Sequence, residues 1–490
     1  MKALIMGGGM SGLATAVNLI DLGLEVELVE ADEIFGGRAS SWLDEDGDQI
    51  ENALHVFLSY YINLMDFFKK LGVYDRLSWT KPELLMCQDD GDHAFMRYAD
   101  LPAPLHMLAA SLNVMKNYRG VPKWHILFSG ISLAAILGKS PEEMDELDGL
   151  SWAEWVYRRG PKGAFDFLNG GLRGLTFTEP YALSAKVFGN WMRKVAAGYE
   201  YTRYAYANGG LGEIWVGNCL EYNRSRGGIC ECKKAVTNIR IENDRIVEVT
   251  INGTEKRTAD IYISAMQAYP LRTLLPASSY ALPYFQDLCY FHNAPSLSIQ
   301  IWLDKQVTDR KEIHTAAPCT WNCMTDLSLV SPQIFKGGSM LECVIAPADD
   351  IQLMPDDIIF EKSLADIRRI LPEARSATVK KYKIVRERQG VYRAFPGMEK
   401  HRPNQRSPYG NFYLTGDWTR TPVSSGGMEA AVWTANRCTE IIAQDKLNKT
   451  ITLNKEFKIE GGFISFLRYI KPMAMAALAV ACAKVFKKMM

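Results

Sequence analysis

Three glycines close to the start, Gly7, Gly9 and Gly12, stand in the order G-x-G-x-x-G within "ALIMGGGMSGLATAV". That spacing suits a pyrophosphate. Gly7 makes a tight turn, Gly9 lets the backbone approach the ligand, and Gly12 lets a helix pack closely on the strand before it. Met10 and Ser11 would open that helix, whose unpaired N–H groups favour anionic phosphates. A strand-like "VELVE" then ends at Glu30, 18 residues after Gly12. An acid there accepts from both hydroxyls of an adenosine ribose and disfavours a 2′-phosphate. Strand, glycine turn, helix, strand and acid together read as a dinucleotide site.

The fingerprint alone does not separate NAD from FAD. Past Glu30 and Ala31 comes a second glycine turn, Gly36-Gly37-Arg38, followed by "IENALHVF" at 50–57. A second glycine turn at that distance is a flavoprotein pattern. Near the other end, "NFYLTGDWTRTPVSSGGMEAAVWTA" (411–435) resembles another ligand-binding strand, loop and helix. Its apolar run stops at Gly416-Asp417, and a helix former begins at Met428 after Gly427.

Other chemistry is missing. The chain has seven His with no pair at metal or triad spacing, and ten Cys without a zinc-finger arrangement. No G-x-S-x-G, H-E-x-x-H or Walker A loop occurs. No metal is expected, the cysteines read as buried reduced thiols, and the chemistry is assigned to the cofactor. His55, in the stretch after the second glycine turn, is the candidate for touching that chemistry. A structural histidine is the competing reading, and no general base is identified.

The elements that must position these residues can be read outward from them. Leu13, Ala16, Val17, Leu19 and Ile20 share one helix face behind the first turn. "NGGLGEIWVGNCLEYNRSRGG" reads as turn, helix and turn, and "ICECKKAVTNIRIENDRIVEVTIN" alternates like paired strands with an Asn-Asp turn. "ADIYISAM" reads as a buried strand.

Glu30, the "GGR" turn and Gly416-Asp417 resemble the flavin amine-oxidase and polyene-desaturase superfamily. The closer likeness is to the plant- and cyanobacterial-type phytoene and ζ-carotene desaturases. It is carried by "ENALHVFLSYYINLMDFFKKLGVYDRLSW", "LPAPLHML", "LSWAEWVYRRG", "RPNQRSP" and "FYLTGDWT…GGMEAAV", in order and in spacing, from about residue 2 to 443. Two positions depart: Ala53 stands where Gly is usual, and Lys305 where Arg is usual, which loses a planar donor fork.

The resemblance implies an α/β fold: a Rossmann-type, GR2-like FAD-binding domain, an inserted α+β substrate domain and a helical membrane-associating region. FAD would be held by two distant segments. Gly7 to Glu30 would take the adenosine and pyrophosphate, with the Val236 backbone at the adenine. Asp417 would accept from the ribityl hydroxyls or sit near the pyrophosphate. Gly427 and Met428 would open a helix whose amides face the flavin's pyrimidine edge and stabilise the negative charge of the reduced ring. The implied reaction removes two hydrogens from adjacent carbons of a long isoprenoid, the hydride going to flavin and a proton leaving the allylic cation. A membrane quinone is the implied electron acceptor. A squalene-type C30 desaturase or dehydroxylase and a flavin amine oxidase are the alternatives, the latter needing an aromatic cage.

At 490 residues the chain should hold more than one domain. The expected division is 1–54, 201–268 and 406–445 for FAD, 55–200 and 269–405 for substrate, and 446–490 for a basic, apolar tail. Lys plus Arg equals Asp plus Glu at 56 each, which argues against nucleic acid as a partner. The chain enters a strand-like segment straight after Met1-Lys2, so no signal or transit peptide is expected. No run reaches the about 18 apolar residues of a spanning helix. Two shorter apolar runs, 124–137 and 473–483, have basic neighbours, the second flanked by Arg468, Lys471, Lys484, Lys487 and Lys488. They suit a peripheral, monotopic protein on the cytoplasmic face of a membrane.

Overall fold

The computed structural model describes residues 1–119, 121–126, 136–158, 172–316, 318–423 and 426–457. At its centre lies a five-stranded sheet in which every pairing is parallel. Across it the strands run Ile229–Glu231, Glu25–Val29, Lys2–Met6, Ile261–Ser264 and Phe412–Leu414. Ala3 to Met6 and Ile261 to Ser264 are fully buried, which is why "ALIM" and "IYIS" are apolar on successive residues instead of alternating.

The two faces of this sheet enter different cores. Ala3 and Ile5 pack with the helices Met10–Asp21 and Met428–Leu447. Leu4 and Met6 pack with the antiparallel meander Val236–Glu242, Arg245–Ile251 and Glu255–Arg257. Asn243 and Asp244 turn the first meander hairpin with φ of 49° and 55°. Both residue types tolerate that left-handed backbone, so the Asn-Asp turn falls where the alternation predicts it. The "GEIWVGNCLEYNR" segment is helical as expected, but its first turn, Gly212–Val216, is the wide π form ahead of the α-helix Gly217–Arg224.

Lys2–Met6 is the strand at which chain order reverses. The next strand in sequence lies on one side of it, and Ile261–Ser264 on the other. In open parallel sheets the ligand crevice forms beyond the carboxyl ends of the strands at that reversal. The loop Gly7–Gly9 leaves the sheet there.

A second sheet has seven strands in the order Val379–Glu387, Ser296–Leu303, Met340–Ile345, Cys323–Asp326, His314–Ala316, Glu83–Cys87 and His93–Arg97. It is antiparallel except where His314–Ala316 meets Glu83–Cys87. Leu297, Ile299, Ile301 and Leu303 face the helix Asp356–Ile370 and form one core with it. The alternate residues Ser298 and Gln300 are also buried, against the other side of the molecule. Period-two alternation of a strand buried on both faces thus separates an apolar face from a polar one.

Much of the apolar run 124–137 and the whole of 458–490 lie outside the described residues, and with them the basic tail. Among the described residues no helix is long and apolar enough to cross a membrane. The nine described cysteines are free thiols, mostly buried; Cys289 departs from the buried-thiol expectation because its short turn at 287–290 lies at the surface.

Candidate functional site

The glycine loop is built as its spacing demands. Gly7 has φ of +112°, and its N–H donates to Val29 O at 2.9 Å. A Cβ on Gly12 would lie 1.9 Å from Gly7 O, so only glycine lets the helix approach the turn. Gly9 differs: a Cβ there meets nothing within 4 Å. It immediately precedes Met10–Asp21, a helix with no side-chain cap and no acid in its first turn. Uncapped N–H groups at Met10 and Ser11 beside open space fit an anionic pyrophosphate.

Glu30 closes one flank. Its Oε2 accepts from Gly8 N at 2.6 Å and its Oε1 from Asp32 N at 3.0 Å. Expected to meet ribose hydroxyls, it also braces the glycine loop itself, and each oxygen keeps a further lone pair. Lys234 N donates to Glu30 O at 2.8 Å, which brings Val236, two residues on, to the same flank. Ala31 is exposed beside it. Gly36 N donates to Gly8 O at 2.9 Å, and a Cβ on Gly37 would come within 3.2 Å of Gly9 Cα. The two glycine turns therefore lie one on the other.

From the second turn Arg38 reaches across the molecule. Its guanidinium donates to Asp417 Oδ2 at 2.7 Å and to Gly390 O at 2.9 Å. The same Asp417 Oδ2 accepts from Gly427 N at 3.0 Å. One carboxylate oxygen thus joins the Gly36-Gly37-Arg38 turn to the start of the helix Met428–Leu447. Asp417, expected to serve the cofactor directly, has strong protein partners of its own. Gly416 has φ of +143°, and a Cβ on it would strike the Trp418 ring at 2.8 Å. Gly427, with φ of +134°, has no atom of the described residues within 4 Å of where its Cβ would be. Gly9 and Gly427 are alike in this: each precedes a long helix without a side-chain cap, and no described residue would touch a Cβ on it. These residues fit FAD.

His55 is half-buried, with Nδ1 2.6 Å from Ala53 O, so Nδ1 carries the hydrogen and Nε2 the lone pair. Burial, aided by the nearby Arg38 charge, pushes its pKa down to about 4. At neutral pH it is an uncharged acceptor. Lys305 is exposed and donates to Ser376 Oγ, away from these groups.

A cluster that the sequence did not single out lies behind the site. Glu51 ends the hairpin strand Gln49–Glu51, one residue before Asn52, whose side chain donates to Arg38 O. Glu51 faces Glu342, Ser298 and Gln300 on the polar side of the seven-stranded sheet. Ser298 Oγ and Gln300 Nε2 donate to Glu342 Oε1, and Gln300 Nε2 also donates to Glu51 O. Among the described residues Glu51 Oε2, Glu342 Oε2 and Gln300 Oε1 are buried without a partner. Burial raises both carboxyls, Glu342 to about 7, and a charge on Glu342 pushes Glu51 further up. Nothing in the local sequence marks Glu342; only the register of Ser296–Leu303 with Met340–Ile345 sets it opposite Gln300. By contrast, the carboxylates of Asp44, Asp46 and Asp48 converge on Lys381 Nζ at 2.6, 2.6 and 2.7 Å, an ion-pair knot between hairpin and sheet edge.

The parallel sheet with its reversal point, the doubled glycine turn and the returning Asp417 loop define a flavin-dependent oxidoreductase. Residues 10–443 match the family of flavin containing amine oxidoreductases, and the chain belongs to that family, with FAD as its cofactor. Within it the chain is similar to 15-cis-phytoene desaturase of Synechococcus elongatus, 31% identical over 468 residues, covering 92% of this chain and 98% of that protein. It is 30% identical to the chloroplastic/chromoplastic 15-cis-phytoene desaturase of Arabidopsis thaliana, over 91% of this chain and 80% of that one. Among solved structures, a putrescine oxidase superposes with a TM-score of 0.68 at 16% identity, over 90% of this chain and 99% of the other. Cyclohexylamine oxidase from Brevibacterium oxydans does so with 0.66 at 17%, over 91% and 98%. At those identities the structures speak for the fold alone.

Proposed function

We propose that this chain desaturates a long isoprenoid of the phytoene or ζ-carotene type in carotenoid biosynthesis, working at a membrane surface. The observation that carries the reading is the end-to-end similarity to the cyanobacterial desaturase, 92% of one chain against 98% of the other. A shared cofactor site would account for the nucleotide-binding segments only, whereas this match also spans the seven-stranded sheet and the helices around it.

Bound FAD supplies the hydride acceptor. The chain's part is to hold the ring, keep water out and lay an apolar substrate beside it. Arg38, Asp417 and Gly427 fasten the two cofactor segments together. Half-buried Leu54, Val56, Leu58, Leu84, Phe177 and Val385 pack on the apolar cluster beside the 50–58 stretch, a surface suited to hydrocarbon. Trp418, the aromatic residue that could suggest an amine cage, is buried, donates to Met266 O at 3.0 Å and packs edge-on against Phe291. It serves the core, which favours the desaturase over an amine oxidase.

A water-insoluble substrate calls for a membrane. On the helix Leu105–Asn117, His106, Ala110 and Val114 face inward, while Leu105, Leu108 and Leu112 are 46%, 50% and 53% exposed. Leu101 and Trp124, on either side of that helix in sequence, are exposed too, as are Lys116, Arg119 and Lys123. Apolar side chains accompanied by basic ones suit the surface of an anionic bilayer. In this reading the protein lies peripherally on the cytoplasmic face of a membrane, and a membrane quinone takes the electrons.

Anaerobic titration tests the function. Phytoene or ζ-carotene in detergent should bleach the yellow protein's visible band, while putrescine should not, and an added quinone should restore the colour. Bleaching by squalene alone would move the substrate to the C30 class; bleaching by amines alone would overturn the desaturase.

A further inference from the structure

Arg402 is fully buried, 1% exposed, in the "RPNQRSP" segment. Its donors do not serve secondary structure. Nη2 donates to Asp417 O at 2.8 Å, and Nε to Thr419 O at 3.1 Å and Trp418 O at 3.3 Å. Nη1 faces both oxygens of Glu399 at 3.2 and 3.3 Å, and the guanidinium lies 5.3 Å from the centre of the Tyr392 ring. Three residues on, Gln405 Nε2 donates to Arg420 O at 2.7 Å and to Thr419 Oγ1 at 3.1 Å. Four successive carbonyls, from Asp417 to Arg420, are therefore held by two side chains of one segment.

We propose that Arg402 is a positioning residue for the cofactor: it fixes the backbone of the Asp417 loop so that the Asp417 carboxylate stands between Arg38 and Gly427 and the flavin is retained. This rests on reading that loop as part of the FAD site. The loop has no ladder of its own, and the buried carbonyls of Asp417, Trp418 and Thr419 would each carry a desolvation cost without donors. A guanidinium is suited to the task because its donors are fixed in one plane, at spacings that match neighbouring carbonyls. With the carbonyls drawn to one side, the Asp417 side chain projects to the other, where Oδ2 meets Arg38 at 2.7 Å and Gly427 N at 3.0 Å. Lysine would keep the charge and lose the fork. Glu399 compensates the buried charge and touches none of the four carbonyls.

The test is the rate at which FAD leaves the purified, full-length protein on dilution, followed by the rise of flavin fluorescence. Arg402→Lys should release FAD at least tenfold faster than the parent. Glu399→Gln should leave the rate within about twofold while lowering the melting temperature, since it removes a charge partner but no loop contact. Asp417→Asn should also release FAD faster. The double variant Arg402→Lys/Asp417→Asn should release it no faster than the worse single variant, because both act through one carboxylate. Additive effects, or an unchanged rate in Arg402→Lys, would overturn the proposal. An unchanged rate in Asp417→Asn alone would instead remove that loop from the FAD site. Should Arg402→Lys fail to fold, Gln405→Ala decides: it loses the contacts to Arg420 O and Thr419 Oγ1 while those of Arg402 stay, and faster release, non-additive with Asp417→Asn, is required.

Discussion

Among single residues Glu342 has the least predictable setting. It is buried against Glu51, with Ser298 and Gln300 as its donors, and burial lifts its carboxyl to about 7. A carboxyl whose pKa is higher folded than unfolded favours folding at low pH. That contribution is full below the ordinary glutamate range and is lost as pH rises through about 7, by about 3 kcal/mol. Glu342→Gln removes the titration while keeping the shape. The variant should therefore melt higher than the parent at pH 8, and the advantage should vanish at pH 5. Equal differences at both pH values in a thermal melt would show that Glu342 is not the titrating group.

At the scale of elements, the strand-turn-helix around Gly7 to Gly12 separates two roles that one fingerprint combines. Gly12→Ala places a methyl group 1.9 Å from Gly7 O, so it should destabilise the fold by about 3 kcal/mol or more. Gly9 has φ of −76° and open space around its missing Cβ. Gly9→Ala should leave the far-ultraviolet circular dichroism unchanged and still lower flavin content, because the methyl group fills the path of the pyrophosphate. Full flavin content in pure Gly9→Ala would place the phosphates elsewhere. The element most visible in sequence, the Val236–Ile251 hairpin, was legible because alternation and an Asn-Asp turn are local signals. The π turn at Gly212–Val216 was not, since no residue type marks an added residue in a helical turn.

For the whole molecule the question is how a hydrocarbon would pass from a membrane to the cofactor site. The exposed Leu105, Leu108 and Leu112 face predicts that the triple change to serine weakens co-sedimentation with anionic phospholipid vesicles at least fivefold. Bleaching by detergent-solubilised phytoene should persist, since none of the three borders the Arg38–Asp417 contact. Unchanged vesicle binding would move membrane association away from this helix. The ion-pair knot of Lys381 with Asp44, Asp46 and Asp48 joins hairpin and sheet from 337, 335 and 333 residues apart. It shows how fully the two halves of the chain interlock.

The sequence by itself determined the nucleotide-binding start, the flavin pattern and the paired strands. These rest on local rules: glycine where a turn or close approach forbids a Cβ, and alternation where a strand has two faces. Only the tertiary structure decided that Asp417 is tied to Arg38 and Gly427, that Arg402 holds the loop's carbonyls, and that Glu51 and Glu342 meet in a donor-poor junction. Each joins segments far apart in the chain. Such a contact is fixed by sheet register and by the packing of two cores, and no local pattern of residues encodes either.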